Sequence, residues 1–172
     1  MMPGIKKILY ATDLSKNAAH AFWYAVYLAK NIDAEIVILH VVERMSHDAE
    51  LTLRAYLPEK DREKIFKDRI GHAAERIKNR IKLFCEKELE KQPEHLARIA
   101  SIEVCEGYPA EEILRKSETF DCDIILMGTH EKGFTSYTFL GSVAKRVLRR
   151  SRKPAFVVPL PQKETDLSFR DT

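Results

Sequence analysis

The chain has 172 residues, 45% of them apolar and 32% charged, with a formal net charge of +3. That length buries a full core as one domain, and the balance excludes a disordered polymer and a membrane-embedded protein. A charge of +3 is too small to indicate nucleic acid as a partner.

The longest unbroken apolar run, Ala21 to Ala29, falls well short of the roughly 20 residues a spanning helix needs. The start, Met1-Met2-Pro3-Gly4-Ile5-Lys6-Lys7, lacks the apolar run and small-residue cleavage site of a signal peptide, so a cytoplasmic location is expected. Cys85, Cys105 and Cys122 have no CxxC spacing and read as buried small hydrophobes. The six histidines show no HxxxH pair, so no protein-only metal site is expected.

In chain order, Ile5 to Tyr10 reads as a strand ending at Ala11-Thr12-Asp13-Leu14-Ser15. Ser15 suits an N-cap, and Asn17 to Asn31 carries Ala18, Ala21, Phe22, Ala25, Val26, Leu28 and Ala29 at helical spacing. Trp23, Tyr24 and Tyr27 fall partly off that stripe and are assigned to packing against neighbouring elements. Glu35 to Val42 is almost continuously apolar, as strands buried on both faces of a parallel sheet are, with His40 inside it as a hydrogen-bonded core histidine.

From about residue 43 to 62 the pattern breaks into a variable insert with room for a short helix between Ser46 and Leu57. A long amphipathic helix is expected from Glu63 to Lys91, with Phe66, Ile70, Ala73, Ala74, Ile77, Ile81, Phe84 and Cys85 inward and Pro93 ending it. Ile99 to Cys105 is a further strand. Pro109 then opens a helix with Glu111 and Glu112 in its first turn.

Next, Ile124 to Met127 forms an apolar strand that stops at Gly128. A polar loop follows, and Gly141-Ser142 opens a helix marked by Val143, Ala144, Val147 and Leu148. A strand, a phosphate-sized loop and a helix start make a cradle for an anion, because the first amides of a helix have no partner and its dipole favours negative charge. Ala155 to Val158 is the last strand, and Gln162 to Thr172 reads as a frayed polar tail beyond a domain of residues 1–160. Basic residues cluster between Lys145 and Lys153; they read as a solvated helix end, with an acidic protein partner as the other reading.

Strands alternating with helices predict an α/β fold: one doubly wound, five-stranded parallel sheet, Rossmann-like, with helices on both faces. Ligands of such sheets lie beyond the carboxyl ends of the strands where the strand order reverses, which brings Ala11-Thr12-Asp13 and the loop after Gly128 to one crevice.

The fragments Ile8 to Ser15, Leu39-His40-Val41, Glu106 to Ile113, Asp123 to His130, Leu140 to Ala144 and Lys153 to Val158 together resemble the universal stress protein family, over about Ile5 to Pro159. The resemblance implies an adenine-nucleotide-binding domain that dimerises through its last strand, here Phe156 to Val158. It implies ATP or AMP as ligand, with or without Mg2+, in stress response or signalling. Ala11, Thr12 and Asp13 would meet the adenosine end and Val41 the adenine face. Met127 and Gly128 would flank the ribose-phosphate, and the amides of Gly141, Ser142 and Val143 would hold phosphate.

The ATP-binding branch carries a glycine, two residues, a glycine, nine residues, a glycine and then Ser or Thr. Here Gly128, Gly141 and Ser142 match, while the middle position is Glu131. A non-glycine there costs about 1–3 kcal/mol if the loop needs positive φ. A carboxylate near a phosphate adds a repulsion of about 1–4 kcal/mol. Lys132 and Gly133 oppose this, supplying a cation and moving the flexible glycine by two residues, and His130 reads as a loop hydrogen-bonder. The competing reading is a nucleotide-free dimeric interaction protein of the same fold. No nucleophile with a base, no GxxxxGK[ST] loop and no GxGxxG after the first strand is present, so at most slow ATP hydrolysis is expected, and no catalytic residue is assigned.

Overall fold

Residues of alternating parity in the short apolar runs point to opposite sides of a strand, and here both sides are apolar, so the runs can be covered only by helices on both faces. The computed structural model describes residues 4–58, 60, 62–129, 140–159 and 167–169, with the backbone alone at 62, 65, 66, 69 and 70. In chain order the elements are β1 (Lys7–Thr12), α1 (Lys16–Ile32), β2 (Glu35–Glu43), α2 (His47–Ala55), α3 (Arg62–Glu88) and α4 (Pro93–Leu96). They continue with β3 (Ile99–Gly107), α5 (Pro109–Thr119), β4 (Ile124–Gly128), α6 (Ser142–Arg150) and β5 (Ala155–Val158).

Among the described residues the five strands form one sheet in the order β3-β2-β1-β4-β5, every pair parallel. The predicted doubly wound α/β architecture is therefore the observed one. The order reverses between β1 and its neighbour β4, where Ala11 lies opposite Met127. On one face Ile8, Tyr10, Ile36, Ile38, Ile124 and Leu126 pack with α1 and α3. On the other, Leu9, Ala11, Val37, Leu39, Ile125 and Met127 pack with α5 and α6.

The helices begin where their caps predict. Ser15 accepts from the Ala18 amide at 3.1 Å, and Pro109 starts α5 with Glu111 and Glu112 in its first turn. The short helix expected in the insert is α2, capped by Ser46, with none of its residues buried.

Several details differ from the sequence reading. β1 runs on through Thr12, because Ala11 and Thr12 still pair with β2. The strand expected to stop at Cys105 continues to Gly107, paired with Glu43. α3 stops at Glu88 rather than Lys91, the Glu90 amide turning to the Lys87 carbonyl, and Pro93 opens the α4 turn instead of ending α3. Phe66 and Ile70 lie outside the described side chains. Trp23 packs against the core as expected, whereas Tyr27 is 68% exposed. Cys85 and Cys122 are buried, but Cys105 is only partly so.

The largest departure is in the tail. Phe169 is 1% exposed, its ring 4.0 Å from Phe84, and Leu167 packs beside the same cluster. The Arg80 guanidinium donates to the Phe169 carbonyl. A polar composition averaged over the tail concealed two apolar residues that complete the core between α1 and α3. Among the described residues no helix is long and apolar enough to cross a membrane.

Candidate functional site

The carboxyl ends of β1 and β4 open a crevice at the reversal of strand order, and its two walls are built differently. The first wall is the turn from Thr12 to Ser15. Thr12 is buried, and its hydroxyl accepts from the Leu14 amide at 3.0 Å. Asp13 is exposed, and its Oδ1 accepts from the Ser15 amide at 2.9 Å. Between them Leu14 is held at φ 62°, a left-handed conformation that costs a branched apolar residue about 1–3 kcal/mol. Side-chain hydrogen bonds on both sides and the Ser15 cap hold the strained residue in place.

From the neighbouring strand, His40 lies opposite Thr12, and its Nδ1 is 2.8 Å from the Thr12 carbonyl. His40 is therefore the hydrogen-bonded histidine expected, although only half-buried. Burial holds its pKa below the usual histidine value, against the Thr12 hydrogen bond and the charge of Asp13, with Arg80 also disfavouring a proton. Below the turn, the Tyr10 hydroxyl donates to the Ala18 carbonyl, and burial pushes its pKa far up.

The second wall is backbone. Gly128 ends β4, and a β-carbon there would come 2.8 Å from the Asn17 side-chain nitrogen. Any larger residue would therefore displace the Asn17 side chain, whereas the Gly128 backbone is not in the left-handed region. The Thr129 amide donates to the Val158 carbonyl at 3.0 Å, and the Gly141 amide to the Thr129 carbonyl at 2.7 Å. The start of α6 is thereby tied to the end of β4. Gly141 is the N-cap, with no side-chain cap, and Ser142 is the first helical residue rather than the cap. The Gly141 amide is donated to Thr129, and the amides that follow at the start of α6 are those of Ser142 and Val143. Ser142 is exposed.

Ala11, Val41, Met127 and Val143 all belong to or pack against the apolar cluster beneath α5 and α6, so they share one face of the sheet. Thr12 has the parity of Ile8 and Tyr10 and serves the turn on the opposite face. The structure brings together Ala11, Thr12, Asp13, Met127, Gly128, Gly141, Ser142 and Val143, with Val41 at the end of β2. His130, Glu131 and Gly133 lie outside the described residues.

Sequence reasoning missed the contributions of Leu14 and Asn17 here. Nothing in a leucine announces a positive φ, although its place between a Thr-Asp pair and a serine cap marks a tight turn. Asn17 is buried in the first turn of α1, and a polar residue immediately after a cap gave no sign that it abuts β4.

At the far end of α6 two members of the basic run, Arg150 and Lys153, are engaged within the chain. Lys153 donates to the carbonyls of Ser117 and Cys122 at 2.9 and 2.6 Å and lies 3.4 Å from Glu118. Arg150 pairs with Glu111. The groove between α5 and this end of α6 has a volume of about 750 Å³, and its lining mixes Arg115, Arg150, Arg152 and Lys153 with Glu111 and Glu118. It lies away from the crevice. Among the described residues no three His, Cys, Asp or Glu side chains come close enough together to hold a metal ion.

The Universal stress protein family model matches residues 4–159. The chain is 30% identical to universal stress protein MJ0531 of Methanocaldococcus jannaschii over 159 residues, covering 92% of this chain and 85% of that protein. It is 32% identical to universal stress protein YxiE of Bacillus subtilis over 156 residues, covering 88% and 97%. Among solved structures it is similar to MJ0577, with a TM-score of 0.66, 27% identity, and coverage of 95% of this chain and all 100% of that one. A universal stress protein solved in complex with cAMP shares the fold, with a TM-score of 0.58 and 15% identity over 92% of this chain and 100% of that one. A family match across nearly the whole chain, relatives at this identity, and a crevice at the expected reversal of a five-stranded parallel sheet agree: the chain belongs to the universal stress protein family.

Proposed function

We propose that the crevice beyond β1 and β4 binds an adenine nucleotide, ATP or AMP, and that the protein acts in the cytoplasm as a nucleotide-dependent component of stress response or signalling. The observation that carries this reading is the meeting of the strained, side-chain-clamped turn at Leu14 with the tethered start of α6 across Gly128. Strain in a bulky residue is retained where a site needs it, and open helix amides suit an anion. Ala11, Val41 and Met127 offer an apolar floor for a base, Asp13 an exposed acceptor for ribose hydroxyls, and Ser142 and Val143 two amides for phosphate. A protein of the same fold holding cAMP supports the ligand class.

Glu131 then sets which nucleotide is preferred: its charge penalises a triphosphate more than a monophosphate, and Mg2+ would offset part of that penalty. Titration calorimetry with ATP and AMP, each with and without Mg2+, tests the reading, with binding of at least one expected; no heat with any would sink it. Mass spectrometry of ligand released from denatured protein provides a second check. Glu131→Gly should tighten ATP about tenfold or more and leave AMP nearly unchanged.

The competing reading, a dimeric interaction protein without nucleotide, draws on the other edge of the sheet. β5 is the terminal strand, Phe156 is 42% exposed on it, and the Tyr24 ring lies 6.4 Å from the Phe156 ring. An edge strand with exposed aromatics is a pairing surface for a second copy. Both readings therefore include a homodimer through Phe156 to Val158. Light scattering should report a dimer that Phe156→Glu converts to monomer. If nucleotide binds only after Glu131→Gly, the competing reading stands.

A further inference from the structure

We propose that His40 is the positioning residue of the crevice: its Nδ1–H donates to the Thr12 carbonyl and so holds the Asp13–Leu14 turn in its ligand-ready, left-handed form. The ligand in this inference rests on the nucleotide reading above; the effect on the turn does not.

Of the contacts that hold the turn, those of Thr12 and Asp13 are local. Thr12 Oγ1 serves Leu14, two residues on, and Asp13 Oδ1 serves Ser15, two residues on. Local bonds of this kind form in an isolated turn as well and do not orient it against the rest of the molecule. His40 comes from a different strand, twenty-eight positions away, and reaches the same peptide unit at 2.8 Å. Thr12 is the last residue of β1 and lies opposite His40, so its carbonyl is the last that the pairing with β2 orients. The His40 ring adds a side-chain bond to it from that same neighbouring strand. The peptide that follows has no further strand pairing to hold it, and rotating it would move the Asp13 amide and release Leu14 from its strained φ. A second bond on the Thr12 carbonyl therefore steadies the turn at its root.

The chemistry also selects the tautomer. A carbonyl only accepts, so Nδ1 carries the hydrogen whether the ring is neutral or charged, and in the neutral ring Nε2 is the lone-pair nitrogen. The charged groups acting on the ring are Asp13 from the turn itself and Arg80 from α3. Arg80 is in turn held by the buried tail through the Phe169 carbonyl. The ring thus feels the carboxylate of the turn it fixes and, from α3, a cation that disfavours its protonation.

The substitutions that separate a donor from a spacer are His40→Asn and His40→Phe. Asparagine can place an amide donor near the position of Nδ1, whereas phenylalanine keeps the ring and removes the donor. Amide hydrogen exchange at Leu14 and Ser15 reads the turn without any nucleotide. It should quicken about tenfold or more in His40→Phe and stay near wild type in His40→Asn. Calorimetry with AMP should show about a tenfold loss for His40→Phe, largely restored in His40→Asn. His40→Leu, smaller and likewise without a donor, replaces His40→Phe if that variant does not fold. Unchanged exchange at Leu14 and Ser15 in the donor-less variant overturns the proposal. An Asn variant as impaired as the Phe variant overturns it too, because ring packing would then be the cause. If wild type binds no nucleotide but exchange responds as described, the nucleotide reading falls and the role of His40 in the turn stands.

Discussion

The two walls of the crevice present opposite solutions to holding a ligand. The wall after β1 is made of side chains: Thr12, Asp13, Ser15 and His40 each commit a polar atom to the turn, and the structure carries the strain of Leu14 at φ 62°. The wall at α6 is made of backbone, a helix start anchored by the bond from Gly141 to Thr129, with no capping side chain. A strained turn costs about 1–3 kcal/mol, while a charge at a helix start is worth about 0.3–1 kcal/mol. The first wall is therefore preorganised at a cost that the core must cover, and the second is cheap and unselective.

The comparison breaks if the core does not support the first wall. Phe169 packs on Phe84 under α1, and its carbonyl holds Arg80. Phe169→Ala should lower unfolding free energy by about 3–5 kcal/mol in urea titrations, as emptying a buried aromatic site does. A change no larger than about 0.5 kcal/mol, typical of surface sites, would return the tail to the frayed state read from its composition.

The second wall is sharpened by placing a charge on it. Ser142→Asp sets a carboxylate beside the phosphate position and should weaken triphosphate binding by about 1–4 kcal/mol. The same carboxylate in the first turn of α6 should stabilise the fold by about 0.3–1 kcal/mol. Calorimetry and thermal melting should thus move in opposite directions. Affinity unchanged alongside a raised melting temperature would mean that no phosphate approaches this helix start.

Thr12→Val keeps the shape of the side chain and removes the acceptor for the Leu14 amide. Leaving that part-buried amide unpaired should cost about 1–3 kcal/mol of stability. A loss indistinguishable from zero would show that the turn stands without its side-chain clamps.

The smallest expected effect is in pH. Burial lowers the folded-state pKa of His40 below its unfolded value near 6.5, so the unfolded chain takes up the proton first as pH falls. The contribution is fully present above about pH 6.5 and declines below it until the folded-state pKa is passed. His40→Asn should flatten the stability profile in that window relative to wild type. An unaltered slope between the two proteins would place the pH dependence elsewhere.

Much of the fold was legible because periodicity reports burial on faces. The alternating apolar strands, the Ser15 cap and Pro109 at the start of α5 each act within a few residues, and each is found as read. That the strand ends carrying Ala11-Thr12-Asp13 and Gly128 meet was legible, because a reversal of strand order must bring them together. Its internal assignments were not. The pair Gly141-Ser142 marks a helix start without deciding which of the two caps it; Gly141 holds that position and is bonded to Thr129.

By itself, the sequence determined the order of elements, the parallel sheet and the crevice, because hydrophobic pattern and chain connectivity leave few alternatives. Only the tertiary structure decided that Leu14 is strained, that Asn17 sits close against Gly128, that His40 reaches across to Thr12, and that Phe169 completes the core. These are contacts between segments distant in sequence, or conformations imposed by them. A local pattern records which residues prefer burial or a turn, but not which partner from elsewhere in the chain arrives to satisfy them.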